Sequence, residues 1–503
     1  MYTSVSITLQ KAAWLMAAVA IVSLSCAAQS PSLDTIYSFT GGANGADPNA
    51  ALVFGGGKYA SDLFGTTPYG GNASCYPSGC GTVFQLKPGT NWTQTVIYSF
   101  QGGADGANPV ASLAVSKDGI LYGTTENGGL TGNGTVFELK PPTSKGGSWT
   151  ETVLYNFNGT AAATVDISGT TVTQTEGSSF VTGSAWVGMP VSFCIPPPAK
   201  DPTEPCTPAG TYTVASVQSA TQLTLTESAG SEEGYYLLVQ DGTEPVGNLT
   251  LLSNGKLYGT TFGGGSNGAG TAFQLTPPTG SGPWTEDVIY NFGGGTQAGQ
   301  DGAGPEGGFV LSKSDLYGTT YAGTNGGVVF KLSPGKTAWS ETILYSFKSY
   351  ATGYEPYGNL VQDSNGVIYG TTTAGGQDGY GILFSLTAPE SGKGQYTLTT
   401  IHAFTNGADG GSPYGGLLLG SNGVLYATVT SGCEYGVGGV LEFTPPTGDS
   451  SDWTETVLYN FTGLADGGQP FGGVIMGSNN ALYGTTSFSD TGYGYGTAFE
   501  LTQ

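Results

Sequence analysis

Leu482-Tyr-Gly-Thr-Thr486 is the stretch that decides the fold, because the chain repeats it seven times with small changes. The other copies are Leu63-Phe-Gly-Thr-Thr67, Leu121-Tyr-Gly-Thr-Thr125, Leu257-Tyr-Gly-Thr-Thr261, Leu316-Tyr-Gly-Thr-Thr320, Ile368-Tyr-Gly-Thr-Thr372 and Leu425-Tyr-Ala-Thr-Val429. Successive copies start 58, 136, 59, 52, 57 and 57 residues apart, so one interval carries an insertion. A fixed period of this size marks a repeat architecture.

Three further elements keep step with it. Gly81-Thr-Val-Phe84 recurs from Gly134, Gly270, Gly327, Gly381, Gly439 and Gly496. Runs such as Trp149-Thr-Glu-Thr-Val-Leu-Tyr-Asn-Phe157 close each unit, and Trp149, Val153, Tyr155 and Phe157 fall on one side at period two, the patterning of a strand. Apolar runs such as Val246–Ser253 precede an Asn-Gly or Asp-Gly turn, a strong hairpin signal.

Four short strands per unit of roughly fifty residues predict a propeller blade. The fold expected is all-β: a seven-bladed β-propeller of four-stranded blades. The competing architecture is an open solenoid. The sequence begins its repeats with a fourth element, Thr35 to Phe39, and ends them with a third, Gly496 to Leu501. A ring explains that offset, with the N-terminal strand completing the seventh blade and hiding an edge that would otherwise invite aggregation.

The expected domain order follows: residues 1–28 a signal peptide, 29–157 the closing strand and first two blades, 158–240 an inserted small β domain, 241–503 the remaining blades. The leader reading rests on Lys11 followed by the apolar run Ala12 to Val22 and small residues through Ala28, too short for a comfortable membrane span. Cys26 is the alternative, as a lipoprotein cysteine. The expected location is therefore secreted, extracellular or on the outer cell surface, with no transmembrane span in the mature chain. The insertion alternates Thr/Val-rich runs with turns, as a barrel or sandwich would.

Composition restricts the partners. Of 503 residues 10% are charged, the formal net charge is −23, and the 13 basic residues are all lysine. Without a basic footprint nucleic acid is excluded as a partner. The missing guanidinium removes the usual clamp for phosphate or carboxylate ligands. A neutral or cationic partner fits, and a monomer is expected.

The units resemble the Gloeobacter/Verrucomicrobia (GloVer) tandem repeat of exported bacterial proteins, through Leu-Tyr-Gly-Thr-Thr, Gly-Thr-Val-Phe and Leu-Tyr-Ser-Phe. The resemblance covers the mature chain apart from the insertion. It implies an exported repeat protein of a family with no established activity.

Candidate site residues come from the loop that joins units, Gly-x-x-Pro preceded by an acid: Asp105, Asp241, Asp301, Asp409 and Asp466. An Asp-Gly turn with proline setting the next strand explains these residues structurally. A ring of carboxylates at one mouth of a channel is the functional reading. Calcium is conceivable there, but one Asp per loop supplies too few oxygens for full coordination, and no other cofactor is expected. His402, the single histidine, replaces a strand tyrosine and reads as a packed residue. No local spacing marks a pair of glycosidase carboxylates. Cys75–Cys80 and Cys194–Cys206 are expected disulfides, with Cys433 left free. The function expected is a non-catalytic binding or interaction scaffold for an extracellular glycan or protein. The alternative is a carbohydrate-active hydrolase or lyase using carboxylates on the loop face.

Overall fold

A computed structural model describes residues 31–503 except 73, 76, 159, 178–189, 196–206, 220, 281, 294–300, 324–325, 391–393, 449–450 and 490–493. The leader, Cys26 and Cys206 lie outside the described residues, and with them the second disulfide expected from the sequence. Among the described residues no helix is long and apolar enough to cross a membrane.

The repeats fold into seven four-stranded antiparallel sheets. The first orders Val53–Phe54, Leu63–Thr67, Thr82–Lys87 and Thr93–Ser99. The next five follow the same order. In the seventh, Ile475–Met476, Leu482–Thr486 and Thr497–Thr502 come from the C-terminal end, and the fourth strand is Ser32–Ser38.

Packing explains the motif letter by letter. A Cβ on Gly65 would lie 2.5 Å from the Phe84 ring on the next strand, so the glycine and the Gly-Thr-Val-Phe phenylalanine require each other. The sixth sheet supplies a control, since its Ala427 sits opposite Leu441, where the aromatic ring is gone. The first threonine ties one sheet to the next: Thr66 donates to Ala111 O at 3.0 Å, Thr428 to Gly472 O at 3.1 Å, and Thr485 to Ala50 O at 2.9 Å. The second threonine bonds across its own loop, as Thr67 does to Thr82 at 2.8 Å. In the sixth sheet the pair becomes Val429 opposite Gly439, and both hydroxyls leave together.

Phenylalanine pairs fill the seams between sheets. Phe100 meets Phe137 at 5.1 Å, Phe157 meets Phe273 at 5.1 Å, and Phe292 meets Phe330 at 5.0 Å. Phe347–Phe384, Phe404–Phe443 and Phe461–Phe499 continue the series. Phe39, which follows the N-terminal strand, meets Phe84 of the first sheet at 5.0 Å. Aromatic rings in edge-to-face contact bury large areas and add about 0.5–1.5 kcal/mol per pair beyond that burial.

The outer strands differ from the period-two reading. Opposite Val136 and Phe137 the register passes from Tyr155 to Val153, leaving Leu154 as the extra residue of a β-bulge, and the same shift occurs in the outer strand of every sheet. A bulge re-aims the side chains beyond it, so both Leu154 and Tyr155 are buried.

Between the second and third sheets the chain builds a closed six-stranded barrel whose strands run from Thr160 to Gln240. Val165, Ile167, Val172, Val191, Val214, Leu223 and Leu225 are buried in it. In Thr171–Gly177 the alternation places Val172 inside and Thr171, Thr173 and Thr175 on the other face.

Candidate functional site

The five acids singled out from the sequence are engaged by the chain's own donors. Asp105 Oδ2 accepts from the Tyr98 hydroxyl at 2.9 Å and from the Gln101 N–H at 2.9 Å. Asp466 repeats this with Tyr459 at 3.0 Å and the Thr462 N–H at 2.8 Å, and Asp301 with Tyr290 at 2.7 Å and the Gly293 N–H at 2.9 Å. Asp241 is buried and accepts from Tyr155 at 2.8 Å and from the Asn158 N–H at 3.0 Å. Asp409 takes the same place beside His402, whose Nε2 lies 3.0 Å from its Oδ2. Burial would raise the Asp409 carboxyl, but donors from Thr405 and His402 hold it below the usual range. Each acid therefore latches the loop to the outer strand. His402 stands in for a tyrosine in that latch.

A glutamate of the following outer strand lies behind several latches. The Tyr290 hydroxyl is 3.1 Å from Glu341 Oε2 as well as 2.7 Å from Asp301. A phenol has one proton to give. It is shared between Asp301, the nearer acceptor, and Glu341. Burial, and then the Asp301 charge, push the Glu341 carboxyl up to about 7. Glu151 behind Asp105 is likewise pushed up to about 7, by burial and then by Asp105. Where the latch acid is absent the glutamate is absent too: Asn44 is matched with Gln94, which bonds its carbonyl, and Thr352 with Leu398.

A cavity of about 640 Å³ lies where the innermost strands converge, and none of the five acids lines it. Its wall is built from the residue after each loop proline: Asn49, Val110, Val246, Glu306, Tyr357, Tyr414 and Phe471. Glu126, Phe262 and Glu244 complete the mouth. Sequence reasoning passed over these positions because they do not recur.

The residue before each proline is held at positive φ: Asp47 at 58°, Asn108 at 57°, Glu244 at 57°, Glu355 at 59°, Ser412 at 51° and Gln469 at 53°, with Gly304 at 61°. This conformation is costly for non-glycine residues and persists only where the surroundings over-determine it. Here they do. Glu355 donates its N–H to Gly326 O at 3.0 Å and accepts from the Thr373 N–H at 2.9 Å, and Glu244 is fixed by Asn133 and Phe262 in the same way.

The mouth is unevenly furnished. Tyr321, Tyr357, Tyr414 and Phe471 form an aromatic series with centroids 6.2, 5.1 and 5.2 Å apart. Glu126, Glu244, Glu306 and Glu355 lie in the same region, and no lysine lines the cavity among the described residues. Burial raises the Glu306 carboxyl to about 7; a hydrogen bond from Tyr357 opposes that rise, and the charges of Glu126 and Glu355 add to it. Glu355 also accepts a hydrogen bond from Tyr321. Such a wall offers flat apolar rings and hydrogen-bond acceptors side by side.

Among the described residues no group of three or more His, Cys, Asp or Glu side chains could hold a metal ion. Cys75 and Cys80 are bonded, with Cα atoms 5.0 Å apart, and Cys433 is a buried free thiol.

The Gloeobacter/Verrucomicrobia repeat matches residues 20–186 and 211–440. No curated protein matches the sequence. Among solved structures the chain is similar to a Dyadobacter fermentans protein of unknown function, at 10% identity and a TM-score of 0.36, covering 93% of this chain and 98% of that one. It is also similar to a putative 6-phosphogluconolactonase from Bacteroides uniformis, at 13% identity and a TM-score of 0.34, covering 79% and 95%. A Trypanosoma rangeli sialidase is similar at 9% identity and a TM-score of 0.31, covering 84% and 58%. At this distance none of them bears on what the cavity binds. The repeat match spans well over half the sequence, and the chain belongs to the Gloeobacter/Verrucomicrobia repeat family.

Proposed function

We propose that the seven sheets are the blades of a closed β-propeller, exported by the leader at residues 1–28, that acts as a binding scaffold for a glycan. The observation that carries this is the aromatic series Tyr357–Tyr414–Phe471 set among Glu126, Glu244 and Glu306 in one cavity, with Tyr321 packed against Tyr357 beside it. Sugar rings present apolar C–H faces to such rings and hydroxyl donors to such carboxylates. Purified mature protein screened against a glycan array tests the reading: binding lost in Tyr357→Ala and Tyr414→Ala supports it, and an array without any signal overturns it.

One observation favours a second reading, cleavage of the bound glycan. Glu306, with its carboxyl raised to about 7 by burial, would keep a proton to donate to a leaving group at neutral pH. Reducing-end release from polysaccharides that stops in Glu306→Gln would support a hydrolase. Binding without release supports the scaffold.

A further inference from the structure

The aromatic residues of this face follow a path, and the repeat itself shows that the fold does not require them. After the loop proline the seven units carry aromatic rings only at Tyr357, Tyr414 and Phe471, where others hold asparagine, valine or glutamate. Two residues after the Thr-Thr pair, the units carry Tyr69 and Phe488 in the first and seventh sheets, where others hold Asn127, Gly263 or Ala322. Each ring thus sits where a small or polar residue supports the same backbone elsewhere in the molecule.

These two sets meet. A second cavity of about 430 Å³ is lined by Tyr69, Phe488, Asp47 and Gln469, and it shares Tyr357, Tyr414 and Phe471 with the central one. Tyr69 and Phe488 are 40% and 39% exposed, so they present ring area to solvent at the outer end. A continuous groove therefore leads from the centre outward over the seam between the seventh and first sheets. No lysine lines it among the described residues, while Glu306 lies at its inner part and Asp47 further out.

We propose that this groove holds an unbranched, uncharged polysaccharide, with successive sugar rings running from Tyr357 and Tyr414 past Phe471 to Phe488 and Tyr69. The inference rests on the glycan reading of the central cavity and adds the chain length, the direction and the charge of the ligand. The inner rings lie in cavities of about 640 and 430 Å³, a size for sugar rings rather than for a folded partner. A uronic-acid chain would bring its carboxylates against Asp47 and the glutamates with no cation to compensate them.

The test titrates mature protein with di- and hexasaccharides of cellulose, mannan and chitin, with an oligogalacturonate hexamer as the acidic control. For at least one series the hexamer should bind about tenfold more tightly than the dimer, a difference of about 1.4 kcal/mol. Tyr69→Ala and Phe488→Ala, both on exposed rings, should remove most of that gain and leave the dimer's affinity unchanged, whereas Tyr414→Ala should weaken both. Hexamers that bind no better than dimers, rim variants that leave the hexamer untouched, or equal binding of the galacturonate would overturn the groove while leaving the central site standing. Absence of binding by every sugar would overturn the glycan reading itself.

Discussion

The Thr485 hydroxyl donates to the carbonyl of Ala50 at 2.9 Å, a contact between the last sheet and the first across 435 positions of chain. With Phe39 packed on Phe84 and the Phe39 N–H bonded to Gly496 O at 3.0 Å, it ties both ends of the repeat array together. Deleting Ser32 to Thr40 should then expose the Thr497–Thr502 strand and remove Ile36 and Phe39 from the core. Burial of such side chains contributes about 1.5–3 kcal/mol each, against a usual total of about 5–15. The truncated protein should melt lower and self-associate, and grafting the segment after Gln503 should restore it. A truncation that melts like the parent and stays monomeric would disprove a closed ring.

Stability should fall as pH rises from about 5 to 8. The carboxyls of Glu151 and Glu341 are raised from 4.5 to about 7, so the folded state holds protons that the unfolded chain has released. Their contribution is fully present below the unfolded value and is lost as pH passes through the folded one. Glu341→Gln, which keeps a donor toward Tyr290, should flatten this slope in melts taken across the range. An unchanged slope in the double variant with Glu151→Gln would show that these groups do not share protons with the latches.

Positive φ before the loop proline offers a separation of fold from ligand binding. Glu355→Gly should raise stability by up to about 1 kcal/mol, since relief of the left-handed penalty exceeds the extra freedom of the unfolded glycine. The reverse change, Gly304→Val, should destabilise, because a Cβ there meets the Phe262 ring at 2.7 Å. Chemical denaturation of both variants checks the signs.

The barrel should be removable. It is inserted within a latch loop: Tyr155 and Asn158 on one side and Asp241 on the other bond as Tyr98 and Asp105 do over a few residues. Replacing 159–240 by a short Gly-rich loop that keeps Asn158 and Asp241 should leave a cooperative fold. Loss of the soluble, cooperative transition would place the barrel in the core.

Recurrence made the sheets legible and also misdirected the search for the site. Gly65 and Phe84 need one another, and so do their counterparts in every unit but the sixth, where Ala427 faces Leu441, so their motif survives and can be read. Asp105 and its counterparts recur for the same reason, since each holds its own loop against Tyr98 or an equivalent. The cavity residues Glu306, Tyr357 and Phe471 occupy one recurring position with no recurring chemistry, and a search for repeated letters slides past them. The bulge at Leu154 was equally hidden, because an extra residue in one strand leaves hydrophobic order intact while shifting what faces inward. The leader and Cys206 of the second cysteine pair are a different case: they fall outside the described residues.

The loops before each proline carry a further consequence. Both backbone groups of Glu244 and of Glu355 are bonded to neighbouring chain, so backbone hydrogen bonds hold the loop's shape there. The mouth is accordingly a set of interchangeable sockets in a fixed collar. A duplicated gene could exchange one wall of the cavity for another through single codon changes, unit by unit, and acquire a new preference without reworking the packing beneath it.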